Sequence, residues 1–124
     1  MDIDKIAAEI HQEAVDKGFW DSPRNLGEML MLSTSELAEA LEEHRSDHPV
    51  VWFKHAPDCA MIRDIRSVGI PPPCNCNSKP EGAAIEVVDA IIRELDTLIG
   101  ELLKDTPYSV SDLITMKFNY NKTR

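Results

Sequence analysis

Aromatic side chains are scarce, with three Phe, two Trp and two Tyr in 124 residues. A core must therefore rest on Leu, Ile, Val, Ala and Met. The apolar runs are only a few residues long, too short to span a bilayer, so no membrane partner is expected. Period-two alternation of useful length is missing as well, which argues against a sheet-built domain. Positive charge is in deficit, at 13 Lys+Arg against 22 Asp+Glu, a formal net charge of -9. That balance lacks the basic footprint of a duplex nucleic-acid binder. The acidic, amphipathic start Met1-Asp2-Ile3-Asp4-Lys5 is unlike a signal peptide, so a cytoplasmic protein is expected. Three cysteines do not suggest a disulfide framework, and a cytosolic chain keeps them reduced. What remains is 43% hydrophobic, enough for a core, at a length that suits one domain over 1–124.

The charge is uneven. Residues 1–46 hold 11 acids and 4 bases, residues 47–80 hold 3 and 4, and residues 81–124 hold 8 and 5. After Asp112 no acid follows, and Lys117, Lys122 and Arg124 close the chain. Small anionic ligands fit this distribution if a metal ion bridges them to the carboxylates.

Helical spacing predicts four helices and an all-α fold. Ile3, Ile6, Ala7, Ile10, Ala14 and Val15 share a face of a helix from 3 to about 17, with Gly18 as its stop. Ser22-Pro23 reads as an N-cap and first-turn proline for a helix to about His44. Ser78 and Glu81 resemble a capping box ahead of the apolar run from Ala83 to Leu103. Ser109 and Asp112 do the same for a last helix to about Tyr120. Between the second and third helices, 47–80 carries six of the eight prolines and all three cysteines. It reads as an irregular insertion with one short helical turn over 60–65, and a connection that long is often functional.

Two carboxylate pairs carry the chemistry. Glu36 and Glu39 lie on the second helix, and Glu86 and Asp89 on the third; residues three apart share a helix face. Glu-x-x-Glu is common on solvated helix faces in so acidic a chain. Here, however, Met29, Leu32, Glu36, Glu39 and Glu43 form one stripe that begins apolar. Asp89 and Asp96 likewise interrupt the seam of Ile85, Ile92, Ile99 and Leu103, with Arg93 as a candidate partner for one of them. Buried carboxylates need a metal, a base or hydrogen-bond donors. Two facing pairs make a cage of four oxygen ligands for a hard divalent cation.

The stretch Gly27-Glu28-Met29-Leu30-Met31-Leu32, leading into Ser35-Glu36-Leu37-Ala38-Glu39-Ala40-Leu41-Glu42-Glu43, resembles the first motif of MazG-like nucleotide pyrophosphohydrolases. Lys79-Pro80-Glu81-Gly82 with Glu86-Val87-Val88-Asp89-Ala90-Ile91-Ile92-Arg93 resembles the second. The ending Lys117-Phe118-Asn119-Tyr120-Asn121-Lys122-Thr123-Arg124 is similar to that family's final helix. The resemblance implies a four-helix, bundle-like fold that hydrolyses a nucleoside triphosphate, in particular a deoxynucleotide, to the monophosphate and pyrophosphate. It implies Mg2+, with Mn2+ as a substitute, on Glu36, Glu39, Glu86 and Asp89. It implies phosphate contacts from Lys117, Asn121 and Arg124, and a homodimer or dimer of dimers. Glu39, one turn from Glu36, is our expected water-orienting base. Trp20 is expected either to stack on the base or to cap a small core. The 46 residues between Glu39 and Glu86 exceed the family's compact pattern.

In the insertion, His55, Cys59, Cys74 and Cys76 offer a structural Zn2+ site, although Cys74-x-Cys76 is not a finger spacing. Incidental thiols are the plainer reading. His11 and His44 read as surface or satisfied interior residues, Met29 and Met31 as filler, and Trp52 and Phe53 as anchors of the insertion. The rival to an enzyme is a non-catalytic helical interaction module with a zinc-binding Cys/His segment.

Overall fold

The computed structural model describes residues 1–59 and 76–124 in full, and 66–68 by their backbone. The expected turn over 60–65, the prolines of 71–73 and Cys74 lie outside the described residues. The described chain is predominantly helical, in the order α1 (Ile3–Asp16), α2 (Leu26–Arg45), β1 (Trp52–Lys54), β2 (Arg66–Val68), β3 (Lys79–Glu81), α3 (Ala83–Thr97) and α4 (Val110–Asn121). Where the sequence reads as one domain, the residues gather into two compact units. One comprises Met1–Ser33 with Ile91–Arg124, the other Thr34–Ala90.

In the first unit, Asp2 caps α1 by accepting from the N–H groups of Asp4 (3.0 Å) and Lys5 (3.3 Å). Gly18, at φ +83°, takes the left-handed conformation just past the end of α1, as its place in the sequence suggested. Ala7, Leu95 and Val110 form the buried centre, with Ile3, Ile10, Leu98, Ile99 and Leu103 packed around it. Asp4 ties α1 to α4 by accepting from the Ser111 N–H (2.9 Å) and the Ser111 hydroxyl, which hold its carboxyl below the ordinary carboxylate pKa. The expected capping box of α4 is present: Ser109 Oγ accepts from the Asp112 N–H (3.1 Å), and the Asp112 carboxylate accepts from the Ser109 N–H (2.9 Å).

Past Thr97, α3 continues as a π-helical segment, Leu98–Leu102. A side chain on Gly100 would come within 2.3 Å of the Trp20 ring, so only glycine admits the indole there. The Trp20 Nε1–H donates to Asp96 at 3.0 Å, and His11 Nδ1 reaches the same carboxylate at 2.7 Å. Arg24 completes the set at 3.5 Å. Asp96 is therefore satisfied by His11, Trp20 and Arg24, a structural solution to the buried acid that the seam pattern exposed.

The second unit corrects one expectation. The insertion is not wholly irregular, because it carries a three-stranded antiparallel sheet in the order β2-β1-β3. Trp52, Phe53 and Lys54 face Glu81, Pro80 and Lys79 across the β1–β3 pair. Pro80 lacks an N–H, and it is tolerated because β3 lies at the edge. Trp52 and Phe53 are buried as anchors, and the Trp52 Nε1–H donates to Glu43 at 3.0 Å. His48 Nδ1 meets the same carboxylate at 2.8 Å.

Both helices carrying the acid pairs also start later than the sequence suggests. The N-cap of α2 is Asn25, whose side chain accepts from the Glu28 N–H at 3.1 Å, rather than Ser22. For α3 the capping box of Ser78 and Glu81 does not form; Lys79–Glu81 is strand, and Gly82 begins the helix by accepting from the Glu86 N–H at 3.0 Å. Gly82 sits at φ +115°, and a Cβ there would lie 2.4 Å from the Val50 carbonyl oxygen. That carbonyl accepts from the Ala84 N–H at 3.1 Å, so the chain two residues before β1 holds the start of α3.

Candidate functional site

Within the second unit, Glu36 of α2 and Glu86 and Asp89 of α3 bring one carboxylate oxygen each within 4.8 Å of one another. Glu36 and Glu86 are buried, at 8% and 7% exposure, and Asp89 is open to solvent. The helical spacing explains this difference. Met29, Ser33, Glu36 and Ala40 are the buried positions of α2, at steps of four, three and four, so Glu36 stands where a core residue would. Glu39 is exposed and lies outside that triangle, but it hydrogen bonds to Glu86.

The electrostatics follow from crowding. Burial, first, then the hydrogen bond with Glu39, then the charges of Glu39, Asp89 and Glu81, push the Glu86 carboxyl up from 4.5 to about 7. A proton on Glu86 lets its hydrogen bond with Glu39 form, because two ionised carboxylates can only accept. Lys79 answers part of the negative field. Its Nζ lies 2.8 Å from Glu81, and that bond, then the charges of Glu81, Glu86 and Asp89, raise its pKa. Lys79 and Glu81 belong to a motif already quoted from the sequence, in which Glu81 reads only as half of a capping box and Lys79 has no separate role. The strand pairing that presents them has no sequence signature at three residues.

Three carboxylates crowded in this way could hold a metal ion. Glu36, Glu86 and Asp89 thus fit a divalent cation by donor chemistry and spacing, with Glu39 beside them.

A second group is chemically distinct. His55, directly after β1, Cys59 and Cys76 also place their ligand atoms within 4.8 Å of one another and could hold a metal ion. Cys74, named with them from the sequence, lies outside the described residues.

The remaining candidates belong to the first unit. Lys117 and Asn121 border an apolar groove with Ile91, Leu95, Ile114 and Phe118. The Lys117 ammonium lies 5.1 Å from the centre of the Tyr120 ring, one turn on. Arg124 ends the chain, its N–H bonded to the Asn121 carbonyl at 3.3 Å. Trp20 packs on Gly100, with His11 in T-shaped contact and Arg24 over its face. No helix among the described residues is long and apolar enough to cross a membrane. Comparisons with protein-family models, curated proteins and solved structures find no match to this chain.

Proposed function

We propose that the chain is a Mg2+-dependent nucleoside triphosphate pyrophosphohydrolase of the MazG-like kind, built on a helical scaffold. The observation that carries this reading is the convergence of Glu36, Glu86 and Asp89 from two helices, with Glu39 hydrogen bonded to the triad. These are the four positions that the sequence resemblance singles out. The oxygen-only donor set suits Mg2+ or Mn2+, whereas the sulfur-rich His55–Cys59–Cys76 group does not.

When bound, the cation neutralises triphosphate charge and makes its bound water more acidic. Glu36, Glu86 and Asp89 are its ligands in this reading. Glu39 takes a proton from the attacking water, whose oxygen forms the new bond to phosphorus. The phosphoanhydride oxygen leaves with pyrophosphate, so one water is consumed per nucleotide. Glu39 suits that role because it is exposed to solvent and coupled to the ligand set through Glu86. The sequence resemblance implies phosphate contacts from Lys117, Asn121 and Arg124, which lie where the chain carries no acid.

Self-association belongs to the same proposal, as a homodimer or dimer of dimers. Val88, Ile91, Ile92 and Leu102, all within the apolar run from Ala83 to Leu103, are each at least 39% exposed. So is Leu37 on α2, at 48%.

A panel of ribo- and deoxynucleoside triphosphates, assayed for pyrophosphate with and without Mg2+, tests the activity. Pyrophosphate and monophosphate in equal amounts, only with the cation present, are expected. Failure to hydrolyse any nucleotide would leave the rival reading, a helical interaction module.

A further inference from the structure

The donor chemistry around His55 leads to a second metal site that the hydrolase reading does not use. His55 is buried at 8% exposure, and its Nδ1 is the focus of three heteroatoms. Cys76 Sγ lies 3.4 Å away, Cys59 Sγ 3.8 Å and Ser78 Oγ 3.5 Å. A cation placed between the nitrogen and the two sulfurs would take a lone pair from each.

The separations match one geometry. A tetrahedral Zn2+ with bonds of about 2.3 Å to sulfur and about 2.0–2.1 Å to nitrogen sets its N···S edges at about 3.6 Å. The two observed edges, 3.4 and 3.8 Å, bracket that value. Ser78 Oγ is 2.9 Å from Cys76 Sγ, the place of a hydroxyl that donates to a thiolate and steadies it. Two thiolates and an imidazole are soft to borderline donors, which favour Zn2+ over the hard cation of the carboxylate group.

We propose that His55 Nδ1, Cys59 Sγ and Cys76 Sγ bind a structural Zn2+ ion that ties the end of β1 to the chain entering β3. The placement gives the ion its purpose. Each strand has only three residues, and so small a sheet has little stability of its own. His55 follows Lys54 directly, and Cys76 precedes Lys79, the partner of Lys54 in the sheet. The ion closes this end of the β1–β3 pair. At the other end, β3 runs through Gly82 into α3, where Val50 holds the first turn. The Zn2+ therefore secures the strand that leads into the helix bearing Glu86 and Asp89. The proposal does not depend on catalysis.

The test is metal content and Co2+ spectroscopy on the whole chain, purified without added chelator and dialysed exhaustively. About one zinc per chain is expected, released by a mercurial thiol reagent and retained by Glu36→Gln and Asp89→Asn. Co2+ exchanged into the wild-type chain should show sulfur-to-cobalt charge transfer and the intense visible bands of a tetrahedral centre. Cys59→Ser and Cys76→Ser should retain less than about a tenth of the zinc. The Co2+ spectrum needs no variant, so it decides the matter even if those substitutions prevent folding. Absence of bound zinc, a weak octahedral Co2+ spectrum, or zinc lost with Asp89→Asn but kept with Cys76→Ser would overturn the proposal.

Discussion

Glu36→Gln and Asp89→Asn should each lower Mg2+-dependent pyrophosphate release by at least about 100-fold while the chain stays folded. Each substitution keeps the shape of the side chain and removes one charged ligand from a set of three. Loss of groups that merely orient a metal ligand already costs about 10–100-fold, and loss of a ligand itself costs no less. Stability should not fall with activity, because the same change relieves repulsion among carboxylates held within 4.8 Å. A purely structural role predicts the opposite pairing, with folding impaired and any activity lost in proportion. Circular dichroism melts beside the pyrophosphate assay separate the two. Unchanged hydrolysis in either variant would remove that residue from the site.

Glu86→Gln should inactivate the chain and yet stabilise it at neutral pH when no divalent cation is present. The sign follows from the displaced titration. In the folded chain Glu86 titrates at about 7, against about 4.5 when unfolded. Between those values the folded state holds a proton that the unfolded state has released, so stability falls as pH rises through the window. Below it the penalty vanishes, and above it the penalty is constant. Glu39 and Asp89 are exposed, and solvent screening there reduces the effect to on the order of 1–2 kcal/mol. The melting temperature of the wild-type chain, relative to Glu86→Gln, should therefore drop from pH 5 to pH 8 in chelator. Saturating Mg2+ should remove most of that difference. Parallel curves at every pH would show that Glu86 carries no such strain.

The parts of the fold that were legible in the sequence are those with local causes. The face of α1, the glycine after it and the Ser109–Asp112 cap all depend on residues within a turn of one another. The carboxylate pairs were legible for the same reason, since a spacing of three on a helix fixes a shared face. Short-range patterns also misled. Ser78 and Glu81 have the spacing of a capping box, yet Glu81 pairs with Lys79 in a strand and Gly82 opens α3. Three-residue strands leave no alternation to detect, and Pro80 in the middle of one argues against it until its edge position is known. Asp96 was recognised as an acid in an apolar seam, but its partners His11, Trp20 and Arg24 lie far away in sequence. Spacing set Glu39 one turn from Glu36 but said nothing of its contact with Glu86. Only the structure sets it beside the ligand triangle, through its bond to Glu86.

Mn2+ titration followed by electron paramagnetic resonance examines the carboxylate centre without any nucleotide. Mn2+ accepts the same oxygen donors as Mg2+, and its free-ion signal is lost on binding. Wild-type chain should take up about one Mn2+ in competition with Mg2+, and Glu36→Gln and Asp89→Asn should leave the ion free. Equal uptake by wild type and both carboxylate variants, or no uptake at all, would contradict a metal centre on Glu36, Glu86 and Asp89.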